Sequence, residues 1–120
     1  MRLGYIGMRM SVAMKDKVMS VLRRFAENNG YEYTEAGKVL SVNPWRYVKR
    51  IGKNLMVSWY YDPLDKGISC GFSCKVSKKW YYDGYYEKIT DFSEQGILEV
   101  LKKCLDKSVV NAFKEVLYNR

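Results

Sequence analysis

From Ile68 to Val76 the chain alternates without a break, with Ile68, Cys70, Phe72, Cys74 and Val76 on one side and Ser69, Gly71, Ser73 and Lys75 on the other. Side chains of an extended strand project to opposite faces with a period of two, so the pattern specifies a strand with one face in a core and one small polar face. A single strand is not stable, and the neighbouring sequence supplies partners. Residues 55–61 repeat the alternation: Leu55, Val57, Trp59 and Tyr61 can meet the same core, leaving Met56, Ser58 and Tyr60 opposite. The DPLDKG stretch, residues 62–67, has proline early and glycine late, as a tight connection requires.

Further strands are expected at residues 31–35 and 38–42, around an Ala36-Gly37 turn, and at 45–51 after Pro44, with Gly52-Lys53-Asn54 leading into the next. Downstream, Asp83-Gly84 stands between two tyrosine pairs, a strong signal for a two-residue hairpin turn. That reading pairs Tyr82 with Tyr85 and Tyr81 with Tyr86 on an arm flanked by Lys78, Lys79 and Lys88.

Helices bracket the strands. Met14, Val18, Val21, Leu22 and Phe25 follow helical spacing within residues 11–28, and Gly30 is placed to end that helix. Ile97, Leu98, Leu101, Leu105, Val109, Phe113 and Val116 form a second stripe, started by a cap at Asp91 or Ser93. One long helix is favoured over two broken near residues 106–108. The expectation is an α+β domain: an N-terminal helix, an antiparallel sheet of about four to six strands, and a C-terminal helix on one sheet face. With 120 residues and no linker-like segment, a single domain spans 1–120, with residues 1–10 as a loosely attached extension.

Charge narrows the function. The net charge is +8, and Lys and Arg outnumber Asp and Glu by seven over residues 1–54 but only by one over 55–120. Nucleic acid, an anionic membrane or an acidic protein are the partners such a balance suits, although basic residues also serve plain solubility. No segment has the roughly 20 apolar residues that cross a bilayer. Cys70, Cys74 and Cys104 are an odd number, and positions 70 and 74 of one strand lie about 13 Å apart, too far for a disulfide. Buried free thiols and an intracellular, reducing location are expected.

The chain has no histidine, which removes Ser-His-Asp and Cys-His catalysis and any histidine-ligated metal. Neither a phosphate-binding loop nor a dinucleotide fingerprint is present. Asp62, Asp65 and Glu87 with Lys88 are the residues that a magnesium-dependent nuclease would have to use, but their spacing matches turn and surface roles better. A non-catalytic protein without cofactor or metal is the expectation.

Between Glu35 and Asp62 the sequence holds five cations, no acid and several aromatic residues. Cations release counterions from phosphates and aromatic faces stack on unpaired bases, so the leading expectation is sequence-tolerant binding of single-stranded DNA or RNA. Arg46, Lys49, Arg50, Lys53, Lys78 and Lys79 are the candidate phosphate contacts, and Trp45, Tyr47, Tyr60, Tyr81 and Tyr86 the candidate stacking residues. The alternative is a small protein-interaction module, such as a virus or plasmid encodes, that binds an acidic host protein or forms a homodimer.

Overall fold

A computed structural model describes residues 2–34 and 46–118 of the chain. The elements are α1 (Arg2–Asn28), β1 (Glu32–Thr34), β2 (Arg46–Gly52), β3 (Leu55–Asp62), β4 (Gly67–Val76), β5 (Lys79–Lys88) and α2 (Glu94–Tyr118). The five strands form one antiparallel sheet in the order β1-β2-β3-β4-β5, so every neighbour in sequence is a neighbour in space. The fold is the expected α+β arrangement. Trp45 and the strand expected at residues 38–42 lie outside the described residues.

Both helices lie against the same face of the sheet. Val18, Val21, Leu22 and Ala26 of α1 and Ile97, Leu101 and Cys104 of α2 close over Tyr47, Trp59, Tyr61, Ile68 and Cys70. A second cluster continues this layer, with Val57, Phe72 and Cys74 under Ala112, Val109 and Val116 of α2. The alternating residues of β3 and β4 thus divide as their sequence predicts, and Trp59 is fully buried among Phe25, Tyr31 and Tyr47.

The helix ends follow local chemistry. Gly30 adopts φ 77°, and Tyr31 N–H donates to the Ala26 carbonyl at 2.9 Å, closing α1 with a left-handed cap that favours glycine. At α2, Ser93 Oγ accepts from Gly96 N–H at 3.1 Å, while Asp91 Oδ1 accepts from Ser93 N–H at 3.0 Å. Ser93 therefore caps the helix and Asp91 holds Ser93 in place. Hydrogen bonding from Ser93 keeps the Asp91 carboxyl below its usual range. Helix α2 is unbroken, but α1 begins at Arg2, ahead of the Ser11 start that periodicity suggests.

The expected Asp83-Gly84 hairpin is absent. β5 passes straight through both residues, and Gly84 sits opposite Gly71 in the middle of the β4–β5 ladder. The turn is at Ser77 and Lys78, with φ 53° and 67°, as a two-residue type I′ connection demands. Neither residue is the glycine or asparagine that this turn prefers, and left-handed backbone costs an ordinary residue roughly 1–2 kcal/mol. Ser77→Asn with Lys78→Gly should therefore stabilise the fold by about 1 kcal/mol, read as a higher urea midpoint at unchanged slope.

The ladder also fixes what β5 presents at the sheet edge. Ile89 N–H donates to the Lys66 carbonyl at 2.8 Å, so odd-numbered residues of β5 bond to β4 and even-numbered ones turn their N–H and C=O outward. At Gly84 both outward groups are already held: Asp83 Oδ1 accepts the N–H at 2.7 Å, and Asn111 Nδ2 donates to the carbonyl at 3.1 Å. An open edge invites pairing with another chain, and these two bonds blunt it at its centre.

Candidate functional site

Because both helices take one face, the other face of the sheet carries no helix among the described residues. Strand parity and cross-strand register place Tyr60, Ser69 and Tyr86 in one row across it, and Met56, Ser73 and Tyr82 in another. Trp80 stands beside Lys75. Glycines in β4 let the β5 rings lie down: the space where a side chain at Gly71 would stand is filled by the Tyr82 ring, and that at Gly67 by the Tyr86 ring. The small polar face of β4 is thus a seat for tyrosines of the next strand. Trp80, Tyr82 and Tyr86 keep 47%, 54% and 39% of their surface exposed. Tyr86 is further pinned because its hydroxyl donates to Asp65, which also pairs with Lys88 at 3.1 Å.

The cations gather at one end of this face. In a sheet of sequential antiparallel strands, the β2–β3 and β4–β5 turns fall at the same end. Leu55 pairs with Cys74, and Lys75 N–H donates to the Asn54 carbonyl at 2.9 Å, which fixes the two turns side by side. Arg50, Lys53, Lys75 and Lys78 are all exposed there. A bulge at Ile51 bends β2 just before its turn. Ion pairs among the described residues lie elsewhere, at Arg24–Glu94, Lys88–Asp65 and Lys103–Glu87.

The sequence candidates therefore separate. Arg50, Lys53 and Lys78 come together, while Lys49 and Lys79 have helix-side parity and place their ammonium groups over Tyr31 and Tyr81, 5.5 and 5.2 Å from the ring centres. Arg46 is on the open face but only 7% exposed, its guanidinium 4.9 Å from the centre of the Tyr60 ring, so it positions that ring and offers little to a phosphate. Among the aromatics, Tyr60 and Tyr86 share the open face. Tyr47 is buried to 7% exposure and stacks on Trp59 at 4.5 Å, and Tyr81 packs toward α2, so neither presents a stacking face. Sequence reasoning missed Trp80, Tyr82 and Lys75. The glycine-rich face of β4 was the available signal, since a strand glycine leaves a gap that a neighbouring ring fills.

The carboxylates of the candidate metal cluster are dispersed. Asp62 Oδ1 accepts from Leu64 and Asp65 N–H at 2.9 and 3.3 Å, Asp65 holds Tyr86 and Lys88, and Glu87 pairs with Lys103 at 2.6 Å on the helix side. Among the described residues, no three His, Cys, Asp or Glu side chains group as a metal site. Cys70, Cys74 and Cys104 are buried free thiols; hydrogen bonding to Cys104 and burial both hold Cys70 protonated.

Three phenols ionise late. Burial pushes Tyr31 and Tyr61 up, and burial together with the Asp65 hydrogen bond pushes Tyr86 up. A phenol whose folded pKa is raised contributes stability that is complete below its unfolded value near 10 and is lost as pH climbs toward the folded value. A spectrophotometric titration should show late-ionising phenol persisting above about pH 10, with thermal stability falling as it ionises. Tyr86→Phe should remove one late phenol.

No helix among the described residues is long and apolar enough to cross a membrane. No family model, curated protein or solved structure matches the chain.

Proposed function

We propose that the sheet face opposite the two helices binds single-stranded nucleic acid with little sequence preference. The observation that carries this reading is the row of exposed rings, Trp80, Tyr82 and Tyr86, leading from a sheet end where Arg50, Lys53, Lys75 and Lys78 converge. Trp80 and Tyr82 are two residues apart, so their Cα atoms are about 7 Å apart along the strand and their side chains share one face. Every base has a flat face, so such a row accepts bases without reading them, while the cations hold the backbone. The positive φ at Lys78 supports the same reading, because a cation stands where glycine would relieve the backbone.

Fluorescence anisotropy with labelled single- and double-stranded oligonucleotides over a salt series tests it. Four phosphate contacts give a slope of log K against log salt of roughly −3 for a single strand. Trp80→Ala with Tyr82→Ala should weaken binding at least roughly tenfold, since stacking contributes about 1–3 kcal/mol per base. Salt-independent binding, or affinity unaffected by removing both rings, overturns the proposal.

A protein-interaction role has one specific observation in its favour. Val110, Phe113 and Leu117 on α2 are 49%, 51% and 68% exposed. Their spacing puts them on neighbouring turns of one helix, the pattern of a protein contact such as a homodimer. Light scattering separates the readings: an interaction module self-associates, or retains an acidic partner, while ignoring oligonucleotides.

A further inference from the structure

The flank of α1 that faces the short β1–β2 edge is not closed by core packing. A cleft of about 640 Å³ lies there, within the range of roughly 300–1,000 Å³ usual for small-molecule sites. Its floor is apolar, made by Met19 and Leu22 of the helix and the largely buried rings of Tyr47 and Tyr61. Tyr33, 42% exposed, is the lining ring with more accessible surface, and Tyr60 borders the cleft from the open face of β3. Lys15 and Arg23 also line the cleft and are both exposed, eight residues or about 12 Å apart along the helix. Lys15 lies on the same side of α1 as the buried Val18 and Leu22, so this side changes from apolar to cationic where it reaches the cleft.

The lining selects a ligand. Aromatic walls over an apolar floor favour a planar ring, and a pair of cations at the mouth favours an anionic group. Asp16 and Asp62 also line the cleft, which disfavours a polyanion and suits a ligand carrying amino or hydroxyl donors. A planar heterocycle with donor groups and one phosphate meets all three conditions. We propose that the cleft is a subsite for a single nucleotide, with the base against the tyrosine rings and the phosphate held by Lys15 and Arg23. This deepens the single-strand reading and rests on it in one respect: Tyr60 belongs to both the open face and the cleft, so a strand crossing the face can deliver its terminal nucleotide there.

Nuclear magnetic resonance titration of the isotopically labelled full chain at low salt tests this, using nucleoside 5′-monophosphates, the corresponding nucleosides and inorganic phosphate as separate probes. Monophosphates should shift the amides of Arg23, Tyr33, Tyr47 and Tyr61, with nucleosides binding more weakly and inorganic phosphate failing to compete at equal concentration. Lys15→Glu with Arg23→Glu, at two exposed positions, should weaken monophosphate binding roughly tenfold or more. Met19→Trp, which fills the cleft, should abolish it. Absence of monophosphate binding, shifts that map elsewhere, equal competition by inorganic phosphate, or an unaffected double variant each overturns the subsite. Oligonucleotide binding without monophosphate binding removes the cleft and leaves the sheet-face reading intact. Monophosphate binding without oligonucleotide binding retains the cleft and removes that reading.

Discussion

Gly84→Val is expected to destabilise the fold by about 3 kcal/mol, at the upper end of the usual cost of forcing extra atoms into a packed site. For a domain of this size that lowers the melting temperature by on the order of 10 °C. A side chain at position 84 would put its Cβ 2.6 Å from the Cys70 carbonyl oxygen, and the neighbour is backbone that cannot rotate aside. Cys70 is itself 1% exposed and packed beneath the helices, so β4 has no room to retreat. Outward movement of β5 would break the hydrogen bond by which Asn111 of α2 holds the Gly84 carbonyl. Gly52→Ala is the internal control: nothing lies within 4 Å of the Cβ it would add, and its stability should stay within about 0.5 kcal/mol of the parent. Thermal and urea unfolding of both variants by circular dichroism decides the matter. If Gly84→Val behaves like Gly52→Ala, β5 is not the continuous strand described.

The same glycine marks where local signals stop being sufficient. Asp83-Gly84 has the composition of a type I′ turn, but the alternating core face of β4 needs a full-length partner, and satisfying that ladder puts the turn at Ser77-Lys78. Tertiary pairing therefore overrode turn preference. Where a signal came from burial periodicity, it carried through. The apolar residues of β3 and β4 face the helices as expected, α2 is one unbroken helix although Phe113 of its expected stripe stays 51% exposed, and Gly30 ends α1. The site was only half legible for a related reason. Whether Lys49 or Arg50 points to the open face depends on the strand's phase, and charge density along the sequence does not encode phase. Likewise Arg50 and Lys78 are far apart in the chain, and sequential antiparallel order is what brings their two turns to one end of the sheet. Tyr47 shows the converse, since an aromatic residue in a basic stretch serves the core as readily as a surface.

Arg50→Glu combined with Lys78→Glu should reduce affinity for a single-stranded oligonucleotide by roughly 100-fold at low salt and make the salt slope shallower by about 1.4. The two positions come from different hairpins, so their combined effect tests the convergence and not one basic stretch of sequence. Both side chains are exposed and neither belongs to the ion pairs at Arg24, Lys88 and Lys103, so the exchange should change stability by no more than about 0.5 kcal/mol. Lys49→Glu with Lys79→Glu makes the same change in net charge on side chains of helix-side parity. If overall charge alone attracts the nucleic acid, the two double variants will lose affinity equally. If the open face is the binding surface, the loss for Arg50 and Lys78 will exceed that for Lys49 and Lys79 by roughly tenfold or more, because direct phosphate contacts outweigh screened attraction at a distance. Equal losses would leave the protein basic but without a defined strand-binding face, and the exposed stripe on α2 would then become the surface to pursue.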